Sequence, residues 1–199
     1  MNLEFEGNEI RMKNKILTRL DKFIFNFIRI LEALDIDYVI VGGYVSILFG
    51  RSRGTEDIDI LVSFITNDKF KNLYEKIMEE NYYFLNSDNP ATLYEMLNEG
   101  LAVRIAEIDT VIPNIELKFV KNEFDKFSLR NRLRVVINGE VMYISPIEVQ
   151  IAYKLYLGND KDIEDAVYLW EIFRDYIDRE KLSEFMKKMN VDGEAYGIG

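Results

Sequence analysis

Two aspartates, Asp57 and Asp59, stand one residue apart in DIDILV, residues 57–62. In an extended segment this spacing puts both carboxylates on one face, about 7 Å apart, with Ile58, Ile60 and Val62 on the other. Aspartate is depleted in strands, and the flanking residues are strongly apolar. Two like charges on one face repel by roughly 2 kcal/mol at an effective dielectric near 20. A divalent cation between them would reverse the sign of that repulsion. The pair is therefore read as a metal site rather than an outward polar edge.

Gly42-Gly43 precedes it, at the end of the apolar run DYVIV and the start of a short helical stretch. A glycine turn there lets a phosphate approach the backbone N–H groups closely. With Asp-x-Asp on the next strand, glycines and carboxylates fall at the same end of neighbouring strands. A third oxygen ligand has two candidates, Glu116 in PNIELKFV and Asp109 in AEIDTV. Glu116 is preferred because its neighbours alternate cleanly, whereas Asp109 lies beside the Pro113 turn.

Composition narrows the chemistry further. The chain of 199 residues has no histidine and no cysteine, which leaves oxygen ligands for any metal. Mg²⁺ or Mn²⁺ suits such a set. The net charge of −10 argues against a broad nucleic-acid footprint. One segment runs against that balance: residues 118–134, KFVKNEFDKFSLRNRLR, hold six basic residues and two acidic ones. Together with Arg51 and Arg53 this is where a phosphate is expected, the alternative being a solvated charged face. Lys154, in the apolar stretch IAYKLYL, either snorkels or aims its charge into the cleft. No apolar run reaches the ~20 residues of a membrane span, and the N-terminus lacks a signal-peptide core, so a cytoplasmic protein is expected.

The elements that must position these groups follow from periodicity. Residues 9–34 carry apolar positions at helical spacing, from Ile16 to Leu31. Strands are expected at 37–42, 57–62, 101–109 and 114–120, with short helices at 44–50 and 68–80. Pro90 opens a further helix that Gly100 ends. Asn138-Gly139 joins two alternating runs as a hairpin. Ser145-Pro146-Ile147-Glu148 reads as a capping box, followed by helices to about 157, over 160–175 and over 178–189. Residues 190–199 are expected to be a loose tail. Asp162 and Asp165 read as acids favoured at a helix N-terminus, and Tyr44 as a packing residue. The order implies an α+β (α/β) core over residues 1–145 and a helical C-terminal subdomain over 146–199.

Apolar–Gly-Gly, a short helix, Arg53-x-Thr55, Asp57-x-Asp59 between apolar residues and an acid in a later strand together resemble the nucleotidyltransferase superfamily of the DNA polymerase β type. Lys154 and KDIED, residues 161–165, resemble its abortive-infection toxin-like branch, from type IV toxin–antitoxin pairs. The resemblance covers roughly residues 37–170, with Glu116 where Asp is commoner. It implies a mixed β-sheet core flanked by helices. It further implies two Mg²⁺ ions on Asp57 and Asp59 with Glu116 completing one of them. Gly42 and Gly43 would hold a nucleoside triphosphate, with Arg53, Thr55 and Lys154 beside it. The implied reaction moves a nucleoside monophosphate to an acceptor hydroxyl (tRNA, a protein or a small alcohol) and releases pyrophosphate. The Glu at the third position also admits a module that binds nucleotide without transfer, half of a pair with an antitoxin-like protein partner.

Overall fold

The computed structural model describes residues 2–199. Its described residues form one nine-stranded mixed sheet and eight α-helices. In chain order these are β1 (Asn2–Glu6), β2 (Glu9–Lys13), α1 (Arg19–Ala33), β3 (Tyr38–Val41), α2 (Gly43–Leu48), β4 (Asp57–Val62) and α3 (Asn67–Glu79). Then come β5 (Tyr82–Phe84), α4 (Pro90–Glu99), β6 (Val103–Glu107), β7 (Asn114–Phe119), α5 (Glu123–Arg130), β8 (Leu133–Ile137) and β9 (Glu140–Ile144). The chain closes with α6 (Ile147–Leu157), α7 (Asp160–Phe173), α8 (Arg179–Met189) and a 3₁₀ turn, Glu194–Tyr196.

The strand order is β1-β2-β8-β9-β3-β4-β7-β6-β5. At its centre β4 runs antiparallel to β3 and parallel to β7. The register sets Val41 opposite Asp59, Asp57 opposite Asn114 and Asp59 opposite Glu116. Residues opposite each other share a face, so one short patch of sheet carries all these side chains. The other face is closed: Ile40, Ile58 and Ile60 are fully buried. A central strand with one such face has its register strongly specified, since a one-residue slip would bury both aspartates.

Helix α1 begins with a capping box in which Thr18 and Asp21 exchange bonds. Asp21 does more than cap. It is fully buried, accepts from Lys15 Nζ at 2.6 Å, and accepts from the Tyr44 hydroxyl at 2.6 Å. Tyr44, itself buried, thus ties α2 to α1 and fixes the helix that follows the glycine pair. Burial pushes the Asp21 carboxyl up, but Lys15, Tyr44 and the Thr18 N–H outweigh it and hold the group below its ordinary value. A depressed carboxylate stabilises the fold above its unfolded pKa, and that stabilisation is lost as pH falls through the folded one. Asp21→Asn should therefore lower the unfolding free energy at neutral pH by about 1–3 kcal/mol, with the gap to wild type closing below about pH 4. Chemical denaturation of both proteins across pH 2–7 checks this.

Four expectations are corrected. Residues 9–13 belong to a β1–β2 hairpin, not to the first helix, and Ile16 is 90% exposed in the connection. Ile10 and Met12 alternate inward while Glu9 pairs with Arg134 across the sheet. Ser145 does not cap α6: its hydroxyl donates to Ser128 at 3.0 Å, and Glu148 accepts from the Asp178 N–H at 3.0 Å. Tertiary partners outcompete the local box. The last ten residues are not loose, because the Ile198 N–H bonds to Gly193 and its side chain is buried. Finally, residues 118–134 do not form one basic surface. Helix α5 interrupts them, Arg132 turns to Asp37 and the Tyr38 carbonyl, and Arg134 turns to Glu9. Among the described residues no helix is long and apolar enough to cross a membrane.

Candidate functional site

A cleft of about 510 Å³ opens over the exposed end of β3 and β4. Its floor is Val41, Gly42, Asp57, Asp59 and Leu61; α5 with the preceding loop forms one wall and α6 the other. A hollow of about 610 Å³ beside Phe5 and Phe127 contains none of the candidate metal or nucleotide ligands, and one of about 740 Å³ beside Arg29 and Lys76 contains only Asp109 of them.

Gly42 has φ +74°, ψ −149°, a conformation that essentially only glycine adopts. A Cβ there would lie 2.5 Å from Asp59 Oδ2. One on Gly43 would lie 2.8 Å from Arg53 Nη2. The glycines are therefore what allow a carboxylate and a guanidinium to approach the backbone before α2. Gly42→Ala should cost about 1–3 kcal/mol in stability and displace Asp59, a combination that thermal unfolding and metal titration would read separately.

The carboxylates are strongly coupled to cations. Lys118 Nζ sits 3.0 Å from Asp59 Oδ1 and 3.1 Å from Glu116 Oε2. Arg104 holds Glu116 Oε1 through Nε at 2.9 Å and Nη2 at 2.8 Å. Burial, with Glu116 and Asp57 nearby, raises the Asp59 pKa despite Lys118. Burial also pushes Glu116 up, but Lys118 and Arg104 prevail and lower it. Thr55 Oγ1 donates to the Asp57 carbonyl at 2.9 Å and lies 3.4 Å from its carboxylate, fixing the start of β4.

Among the described residues no three acidic side chains converge on one point as a ready metal cage. The donor set nevertheless fits a hard divalent cation: Asp57, Asp59 and Glu116 share a face, and an ammonium already bridges two of them. Asp109 lies away from the cleft, in the turn after β6, where it borders the hollow beside Arg29 and Lys76.

A second charged cluster stands behind Gly43. Asp165, fully buried on α7, accepts from Arg51 and Arg53 and from Lys154 Nζ at 2.6 Å. Lys154, only 2% exposed, also reaches Asp162 at 3.1 Å. Burial pulls the Lys154 pKa down; Asp162 opposes this, while Arg53 and Arg51 add to it. Lys154 thus neither snorkels nor stands free: it lines the cleft as part of an ion network. Asp165 is the residue that sequence reasoning missed, having read it as an acid at a helix start. Its only signal was the Lys161-Asp162-x-x-Asp165 pattern, whose partners lie far away in sequence. Of the six basic residues in segment 118–134, Lys118 and Lys121 alone line the cleft.

The fold recurs in known structures. A nucleotidyltransferase-like antigen of Paracoccidioides brasiliensis matches with TM-score 0.55 over 84% of this chain and 86% of its own, at 16% identity. ANT(2″)-Ia in complex with adenylyl-2″-tobramycin matches with TM-score 0.59 over 90% of this chain and 100% of its own, at 13% identity. The chain has the nucleotidyltransferase fold. JHP933 of Helicobacter pylori is similar over 87% of this chain and 75% of its own, with TM-score 0.50 and 18% identity. At these identities the likeness concerns the fold alone. No family model and no curated protein matches the sequence.

Proposed function

We propose that this chain is a Mg²⁺- or Mn²⁺-dependent nucleotidyltransferase that moves a nucleoside monophosphate from a nucleoside triphosphate to an acceptor hydroxyl. The observation that carries the proposal is the juxtaposition of Asp57 and Asp59 with the glycine pair, at a cleft in a nucleotidyltransferase fold. Asp57 and Asp59 would hold the cation, with Glu116 beside Asp59 as a third donor. A bound divalent pair would stabilise the attacking and leaving oxygens of an in-line displacement. Gly42 and Gly43 let the Asp59 carboxylate and the Arg53 guanidinium close on the backbone beside the cleft, where the cation and a triphosphate would sit, and Lys154 adds positive charge at the same wall. Thr55 keeps Asp57 in place. The acceptor oxygen joins the α-phosphorus and loses its proton, and the bond to the β-phosphate breaks to release pyrophosphate.

The fold includes a protein described with an adenylylated small alcohol, ANT(2″)-Ia with adenylyl-2″-tobramycin. A small alcohol is therefore the acceptor class we favour over tRNA or a protein. Incubation with each α-labelled triphosphate, Mg²⁺ and a cell extract should label an acceptor. Label that persists in both Asp57→Ala and Asp59→Ala would refute these assignments.

One observation favours a second reading. Glu116 is already satisfied by Arg104 and Lys118. A chain whose third carboxylate stays so engaged would bind nucleotide without transferring it, and would act through a protein partner as the toxin-like half of a toxin–antitoxin pair does. Nucleotide binding without pyrophosphate release, in every extract tested, is the result that distinguishes it.

A further inference from the structure

The cleft carries more than phosphate and metal chemistry requires. Gln150, one helical turn before Lys154 on α6, lines the cleft and is only 4% exposed. Among the described residues its side-chain amide has no hydrogen-bond partner. The amide is not among the fully buried polar atoms left without a partner, so what remains exposed of it faces the cleft. An amide at a cleft wall with both edges uncommitted is free to bond a ligand.

Its neighbours fit the same purpose. Tyr153, on the same helix face and 47% exposed, lines the cleft beside it. Among the described residues its phenol has no hydrogen-bond partner. On the facing wall the Ser128 hydroxyl accepts from Ser145, which leaves its own proton uncommitted. The amide offers one donor edge and one acceptor edge side by side, the complement of a nucleobase edge. An aromatic ring beside it supplies a stacking face. Triphosphate oxygens would use only the donor edge, and neither the acceptor edge nor the ring face.

The geometry points to Gln150 as the residue that reads the nucleobase of the bound triphosphate, with Tyr153 as its stacking face. This rests on the nucleotidyltransferase reading and adds to it: the enzyme selects among nucleoside triphosphates by the base, through hydrogen bonds from α6. A bidentate amide–base contact corresponds to about tenfold discrimination or more.

The test compares the four ribonucleoside triphosphates with inorganic tripolyphosphate, which has no base, by calorimetric titration in Mn²⁺. The wild type should prefer one base by about tenfold. Gln150→Met, which keeps the side-chain length, and Gln150→Glu, which removes the donor, should both flatten that preference. Tyr153→Leu should weaken all four triphosphates alike. Gln150→Met and Tyr153→Leu should leave tripolyphosphate affinity unchanged, whereas the added charge of Gln150→Glu should weaken tripolyphosphate and all four triphosphates alike; matching thermal unfolding curves establish that the variants are folded. If the base preference survives in both Gln150 variants, or if the wild type shows none, the inference is overturned while the phosphate site stands. If neither tripolyphosphate nor any triphosphate binds the wild type, the nucleotidyltransferase reading itself fails, and this inference with it.

Discussion

Asp59→Asn is expected to abolish transfer while leaving the protein folded and no less stable at pH 7. The loss should be about a thousandfold or more in rate, since a metal–carboxylate contact contributes several kcal/mol to the transition state. The stability half of the expectation follows from burial. Asp59 has its pKa raised by desolvation and by Glu116 and Asp57, so its charged form is disfavoured in the fold. A group with a raised folded pKa stabilises the fold below its unfolded value, and that contribution is lost as pH rises through the folded one. At pH 7 the wild type thus carries an unfavourable buried charge, which asparagine removes. Lys118 keeps Glu116 as a partner in the variant. Labelled-transfer assays and denaturation of the same preparation would measure both quantities. A variant that lost activity only because it unfolded would contradict the account.

The second large effect concerns stability. Asp165→Ala should cost about 3–5 kcal/mol, because it removes the one fully buried carboxylate shared by Lys154, Arg51 and Arg53. Lys154→Met should cost less, since Asp165 keeps both arginines. The double variant should recover part of the loss, as expected when an uncompensated buried charge is removed. Urea denaturation of the three variants gives the cycle. Because Arg53 covers Gly43, Asp165→Ala should also weaken triphosphate binding.

Local patterns made the centre of the site legible. Asp57 and Asp59 alternate with isoleucines inside one strand, and the glycine pair lies at the end of the strand next to it. Glu116 was readable because NIELKF alternates, and the register then sets it beside Asp59. The mixed sheet follows from the same patterns. What was not legible depended on partners distant in sequence. Asp165 is 114 residues from Arg51, so nothing local separates it from an ordinary acid in the first turns of a helix. Lys118 looked like a phosphate ligand and is a carboxylate bridge, because its strand position aims it at the acidic face. The first hairpin was hidden for another reason. Phe5, Ile10 and Met12 alternate around Gly7-Asn8, but Ile16 and Leu17 extend a helical count backward into them. Gln150 offered no signal, since one amide in an apolar helix gains meaning only from the cleft it lines.

The central claim is that Asp57, Asp59 and the glycine pair form one metal and triphosphate site. The most direct measurement is Mn²⁺ titration, followed by electron paramagnetic resonance, with and without a non-hydrolysable nucleoside triphosphate. The account expects Mn²⁺ and triphosphate to strengthen each other's binding in the wild type, and expects this coupling to vanish in Asp57→Asn and in Asp59→Asn. Triphosphate binding that is indifferent to Mn²⁺, or coupling that persists in both variants, would contradict it.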